Sequence, residues 1–80
     1  MKQIKDKIIR YTDNDFIIEI VDSEAEFEAW IGNSQYGILS QMFAIPKKQT
    51  DRTITYEEFH DIVVSNLAKY KTIYRQEYMD

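Results

Sequence analysis

The sequence contains no cysteine, so no disulfide or thiolate-bound metal can staple the fold, and thiol nucleophiles are excluded as well. One proline and two glycines in 80 residues are too few for a flexible linker or a low-complexity segment. The single histidine is the only side chain whose ordinary titration falls near neutral pH. No apolar run approaches the ~20 residues that a membrane-spanning helix requires. Nor does an apolar segment follow the charged start, as it would in a secretory leader. Together with the missing cysteine, these absences lead to the expectation of a cytoplasmic protein without membrane contact.

What is present is aromatic and charged. Six Tyr, four Phe and one Trp supply large apolar side chains, and 80 residues is the length of one domain. A single globular domain over residues 1–80 is therefore expected. A chain this short buries only about 60–65% of the surface its unfolded form exposes, which leaves a narrow stability margin.

The charges fall in blocks. Residues 1–10 carry Lys2, Lys5, Lys7 and Arg10 against Asp6, a balance of +3. Residues 11–46 contain no Lys or Arg, and Asp13, Asp15, Glu19, Asp22, Glu24, Glu26 and Glu28 give −7. The remainder is neutral, so the net charge of −4 understates the local field. A direct nucleic-acid contact is disfavoured by that acidic block.

Along the chain, Ile8, Ile9 and Tyr11 precede the turn-forming Thr12-Asp13-Asn14-Asp15, and Phe16-Ile17-Ile18-Glu19-Ile20-Val21 follows it. This pattern predicts a β-hairpin. Ile4, Ile8 and Tyr11 also stand at i, i+4, i+7, so a helix over 4–11 is an alternative. Ser23 and Glu26 have capping-box spacing, and Phe27, Trp30 and Ile31 recur at i, i+3, i+4 before Gly32. A short helix ending at Gly32 is expected there. Tyr36 to Ile45 fits either a strand or a helical stripe; its length and Pro46 favour a third strand. The clearest element is the last. Thr55 and Glu58 form a capping box, Ile54 and Phe59 a hydrophobic staple, and Phe59, Val63, Leu67, Tyr70, Tyr74 and Tyr78 keep helical spacing, with Ile62, Ala68 and Ile73 widening the face. The sum is an α+β domain in the order β-β-α-β-α: a three-stranded antiparallel sheet packed by a long C-terminal helix and a short helix. Trp30, Phe27, Phe43 and Phe59 are its expected core. A helix reaching Tyr78 is about 34 Å long and would outrun a domain ~30 Å across.

No motif announces a reaction. Glu57-x-x-His60 has the spacing of a di-iron carboxylate pair, but that site needs a second pair and further carboxylates. Glu57, Glu58 and Asp61 are the acids of a first helical turn, where they complement the macrodipole. A metal-dependent enzyme using them is the outlying alternative. His60 and Ser65 lack an orienting third group, and Gly32 and Gly37 match no phosphate-binding loop. The chain is thus expected to be non-enzymatic, with no catalytic residue, metal or cofactor.

Two surfaces are candidates for a partner. Asp13, Asp15, Asp22, Glu24 and Glu28 are expected to form an acidic face that docks on the basic surface of a nucleic-acid-binding protein. In size and charge alone this is similar to small acidic proteins that mimic DNA, including phage-encoded inhibitors of host defence nucleases. Tyr70, Tyr74 and Tyr78 form an i, i+4, i+8 ladder that either packs in the core or, at the helix end, pairs two copies into a homodimer.

Overall fold

The computed structural model describes residues 7–79. The positions Lys2, Ile4, Lys5 and Asp6, on which the basic block and the helical alternative drew, lie outside the described residues. The chain forms a four-stranded antiparallel meander of β1 (Lys7–Asp13), β2 (Phe16–Asp22), β3 (Glu26–Asn33) and β4 (Leu39–Pro46). Helix α1 (Tyr56–Tyr74) follows and closes with a π-helical turn over Arg75–Met79. The small α+β domain agrees with the sequence, but the sheet has four strands rather than three, and α1 is the only long helix among the described residues.

β1 and β2 pair through a two-residue turn, with Asp13 opposite Phe16. Asn14 takes a φ of 57° there, which Asn tolerates better than most L residues. The expected short helix is instead β3. Ser23 Oγ donates to the Glu26 carbonyl oxygen at 2.8 Å, and the Ser23 N–H reaches the same oxygen at 3.1 Å. The Ser/Glu pair thus closes a turn and caps nothing. Phe27, Ala29 and Ile31 alternate inward and are buried, while Glu28 and Trp30 point to the other side. Trp30 is therefore not a core residue. β3 bonds to strands on both sides, and that pairing outweighs the local helical signal. Gly32, expected to end a helix, lies within β3. A Cβ there would stand 3.1 Å from the Ile38 carbonyl oxygen, so the glycine admits a close approach of backbone.

The Tyr36–Ile45 region is a strand from Leu39 onward. A bulge interrupts it: Ala29 pairs with Phe43 and Trp30 with Gln41, leaving Met42 as the extra, buried residue. The chain then returns through Lys47, whose N–H donates to the Ala25 carbonyl oxygen at 2.9 Å, and reaches the buried Ile54.

Helix α1 starts where the sequence places it. Thr55 Oγ1 accepts from the Glu58 N–H at 3.2 Å, and the Glu58 carboxylate reaches back to the Thr55 N–H at 3.3 Å. α1 lies across one face of the sheet. There Phe16, Ile18, Ile20, Phe27, Ala29 and Ile31 meet Phe59 and Val63 in one continuous core. Phe59 has no solvent exposure; its ring stacks on Phe27 at 5.1 Å and meets Phe43 at 5.5 Å. Ala68, which the spacing placed on the inner face, is exposed.

Replacing Phe59 by Ala removes the contact shared by β3, β4 and α1. It is expected to cost about 3–5 kcal/mol, most of the stability of a domain this small, and urea unfolding by circular dichroism would measure it. At the helix start, the Arg52 guanidinium and then the Thr55 N–H hold the Glu58 carboxyl down to about 2 from its ordinary 4.5. Because the folded value is the lower one, Glu58 contributes stability that is complete above about 4.5 and is lost as pH falls through about 2. Acid titration of the melting temperature should show a flatter decline over that window in Glu58→Gln than in the wild type.

Candidate functional site

One helix cannot cover both faces of a four-stranded sheet, and among the described residues nothing else covers the face away from α1. Directly opposed residues share a face, and the register therefore writes this surface out in three rows across β1, β2, β3 and β4. The first is Ile8, Val21, Glu28 and Ala44; the second Arg10, Glu19, Trp30 and Gln41; the third Thr12, Ile17, Gly32 and Leu39. Ile8, Ile38 and Leu39, on this face or its rim, are among the few exposed large apolar side chains.

At its centre stands Glu19, which is only 8% exposed. Arg10, its cross-strand neighbour, donates from Nε at 2.8 Å and lies 2.6 Å away through Nη2. The remaining part of the guanidinium faces solvent. Beside this pair, Glu28 accepts from Trp30 Nε1 at 3.2 Å and from Gln41 Nε2 at 3.4 Å.

The β3–β4 loop forms a wall along one side. Asn33 starts it: its Oδ1 accepts from the N–H groups of Gln35 at 2.9 Å and Tyr36 at 3.3 Å, and Gly37 follows with a φ of 72°. The face holds two shallow depressions, the first of them against this wall. One, of about 240 Å³, is lined by Arg10, Ile17, Gly32 and Leu39 among others. The other, of about 300 Å³, is lined by Glu19, Val21, Glu28, Trp30 and Leu39.

The five acids singled out by the sequence do not converge. Asp13 and Asp15 lie at one end of β2, and Asp22 and Glu24 at the other, about 20 Å away by strand rise. Glu28 alone of the five lies on the open face. Two are matched by bases distant in sequence: Lys71 Nζ bonds Asp13 Oδ2 at 2.6 Å, and Lys47 Nζ bonds Asp22 Oδ1. Asp15 and Glu24 are exposed in turns.

The tyrosine ladder belongs to the core. Tyr74 is 2% exposed; its ring meets Phe16 edge-on at 5.8 Å and its hydroxyl donates to the Ile38 carbonyl oxygen at 2.6 Å. Tyr78 leans on Tyr74 at 4.7 Å, and Tyr70 on Phe43 at 5.7 Å. The end of the helix stays on the domain, since Tyr74 is buried in the core and Tyr78 and Met79 pack against it. Tyr74 is thus engaged within its own copy.

The outlying metal cluster is not assembled either. Among the described residues, no three His, Asp or Glu side chains are grouped to share an ion. Glu58 is engaged with Arg52, and His60 sits between the rings of Tyr11 and Tyr56 at 6.1 and 6.0 Å. Burial, with Tyr56 and Asp13 adding to it, pushes the Tyr11 phenol above its ordinary 10, which keeps it protonated at neutral pH.

The open face is hard to read from the sequence because Trp30, three residues after Phe27, also fits a helical stripe facing the core. The signal was there: Phe27, Ala29 and Ile31 alternate with Glu28, Trp30 and Gly32. Comparison with known proteins assigns no function to this surface: no family model, curated protein or solved structure matches the chain.

The ion pairs divide the acids into structural and free ones. Asp13→Asn and Asp22→Asn should each lower stability by about 0.5–1 kcal/mol, whereas Asp15→Asn and Glu24→Gln should stay within about 0.5 kcal/mol of the wild type. Thermal melts at low salt would separate the two groups.

Proposed function

We propose that the chain is a small non-enzymatic protein-binding module, a regulator or inhibitor that docks through the open face of its sheet. The observation that carries this is the composition of that face. Ile8, Ile17, Val21, Trp30 and Leu39 gather on it, a concentration of apolar side chains that marks an interaction surface in a small protein. Trp30 lies near its middle, and Trp is the residue type that most often anchors an interface.

The margin of the face selects the partner. Glu26 and Glu28 alternate along β3 beside Trp30, and Glu24 follows in the adjoining turn. Arg10, the one base on the three rows, is already matched by Glu19. The chemistry that complements such a surface is a protein presenting an apolar patch with Lys or Arg at one side. A basic nucleic-acid-binding protein meets that description. Imitation of a phosphate backbone gains no support, since the carboxylates are scattered over both ends of the sheet.

The test is affinity capture at low and raised salt with four baits: wild type, Trp30→Ala, Glu28→Gln, and Asp15→Asn combined with Glu24→Gln. A partner docking as proposed is retained by the wild type and loses at least about 2 kcal/mol of affinity, roughly thirtyfold, to Trp30→Ala. Glu28→Gln should weaken it mainly at low salt. Retention by Trp30→Ala with loss in the double turn variant would move the site to the turns and overturn the proposal, as would capture of nothing by any bait.

A further inference from the structure

The outer side of β1 is the other unpartnered part of the sheet. Among the described residues, β2 pairs with its inner side and nothing pairs with its outer side. The opposite edge strand, β4, carries the bulge at Met42 and ends at Pro46, two devices that blunt an edge. β1 has neither, and all seven of its residues pair with β2 without irregularity. Because Asp13 and Phe16 flank a two-residue turn as a hydrogen-bonded pair, ladder alternation directs the backbone N–H and C=O groups of Ile8, Arg10 and Thr12 outward. Ile8, at 59%, is the most exposed large apolar side chain among the described residues.

We propose that this edge is a self-association site, at which β1 pairs antiparallel with β1 of a second copy and joins two sheets into one of eight strands. The proposal goes beyond the docking function of the open face and stands independently of it. The second copy is indicated by the self-complementarity of Lys7-Ile8-Ile9-Arg10-Tyr11-Thr12-Asp13. A two-fold axis at Arg10 gives the one antiparallel register in which all seven residues find partners. That register sets Lys7 of one copy opposite Asp13 of the other at both ends, Ile8 opposite Thr12, and Ile9 opposite Tyr11, so opposite charges and apolar side chains meet across the strands. Asp13 already accepts from Lys71 at 2.6 Å, and a carboxylate has capacity for a second donor. The two Arg10 side chains meet at the axis, each with its own Glu19 at 2.6 Å. The row across the joined sheet then runs acid, base, base, acid. A foreign strand would have to bring complementary ends of its own; a second copy supplies them by symmetry.

The absence of native cysteine makes the register measurable by disulfide formation in the full chain. Opposed Cα atoms of a hydrogen-bonded antiparallel pair lie about 5.5 Å apart, within disulfide reach. Position 8 of one copy stands about 14 Å from position 8 of the other. Under mild oxidation, a mixture of Ile8→Cys and Thr12→Cys should cross-link at least about tenfold faster than either variant alone, and Arg10→Cys should cross-link with itself. Adding Ile8→Pro to Arg10→Cys removes an outward N–H without touching the bonds to β2, and should abolish that cross-link; adding Ile8→Thr should not. Equal rates for the mixture and the single variants would overturn the proposal. So would sedimentation of the wild type as a monomer at a concentration on the order of 1 mM.

Discussion

The contact between the Phe59 ring and the inner face of β3 and β4 is the interaction on which the rest of this fold depends. The chain has no disulfide, and among the described residues α1 alone supplies the second layer. Phe59 is held from both ends. The cap formed by Thr55 and Glu58 fixes where α1 begins, and the rings of Phe27 and Phe43 receive the side chain one turn later. Each large aromatic buries 150–250 Å², so a seam of such rings offsets much of the conformational entropy that an 80-residue chain loses on folding.

The same seam shapes the opposite face of the sheet. At the far end of α1, the hydroxyl of Tyr74 donates to the carbonyl oxygen of Ile38, and Ile38 belongs to the loop that walls one side of the open face. Gly32 lets that loop settle onto β3, because a side chain there would meet the Ile38 carbonyl. The tyrosine therefore acts on the candidate surface without being part of it. It is a core residue that sets the position of a surface loop.

The parts of the fold legible in the sequence were those in which several local devices agreed. α1 was marked by its cap, its staple and its spacing together, and the first hairpin by turn residues between two β-branched runs. β3 was misread because Phe27 and Ile31, four residues apart, satisfy a helix and a strand equally. Trp30, three residues after Phe27, fits the helical stripe alone, whereas the buried Ala29 fits only the strand. The Ser23–Glu26 contact exists, but as a turn bond: the spacing brings the same two residues together, and here both Ser23 donors meet the Glu26 carbonyl oxygen rather than its N–H and carboxylate. The fate of the acids was illegible for another reason. Lys71 lies 58 residues from Asp13 and Lys47 25 residues from Asp22, and no local pattern encodes such pairs.

The Arg10–Glu19 pair limits what can cover the open face. Arg10 and Glu19 face each other across β1 and β2, with the carboxylate buried and the outer guanidinium in water. A purely apolar partner laid over this pair would strip water from the guanidinium and return no hydrogen bond, and burying an unmatched donor is costly. Water can be replaced there only by an acceptor, a backbone carbonyl or a carboxylate, placed within the apolar contact. The margin at Glu26 and Glu28 makes the opposite demand for a donor. A partner that meets both must present an acceptor toward β1 and a base toward β3, and this asymmetry gives an otherwise greasy surface a preferred orientation.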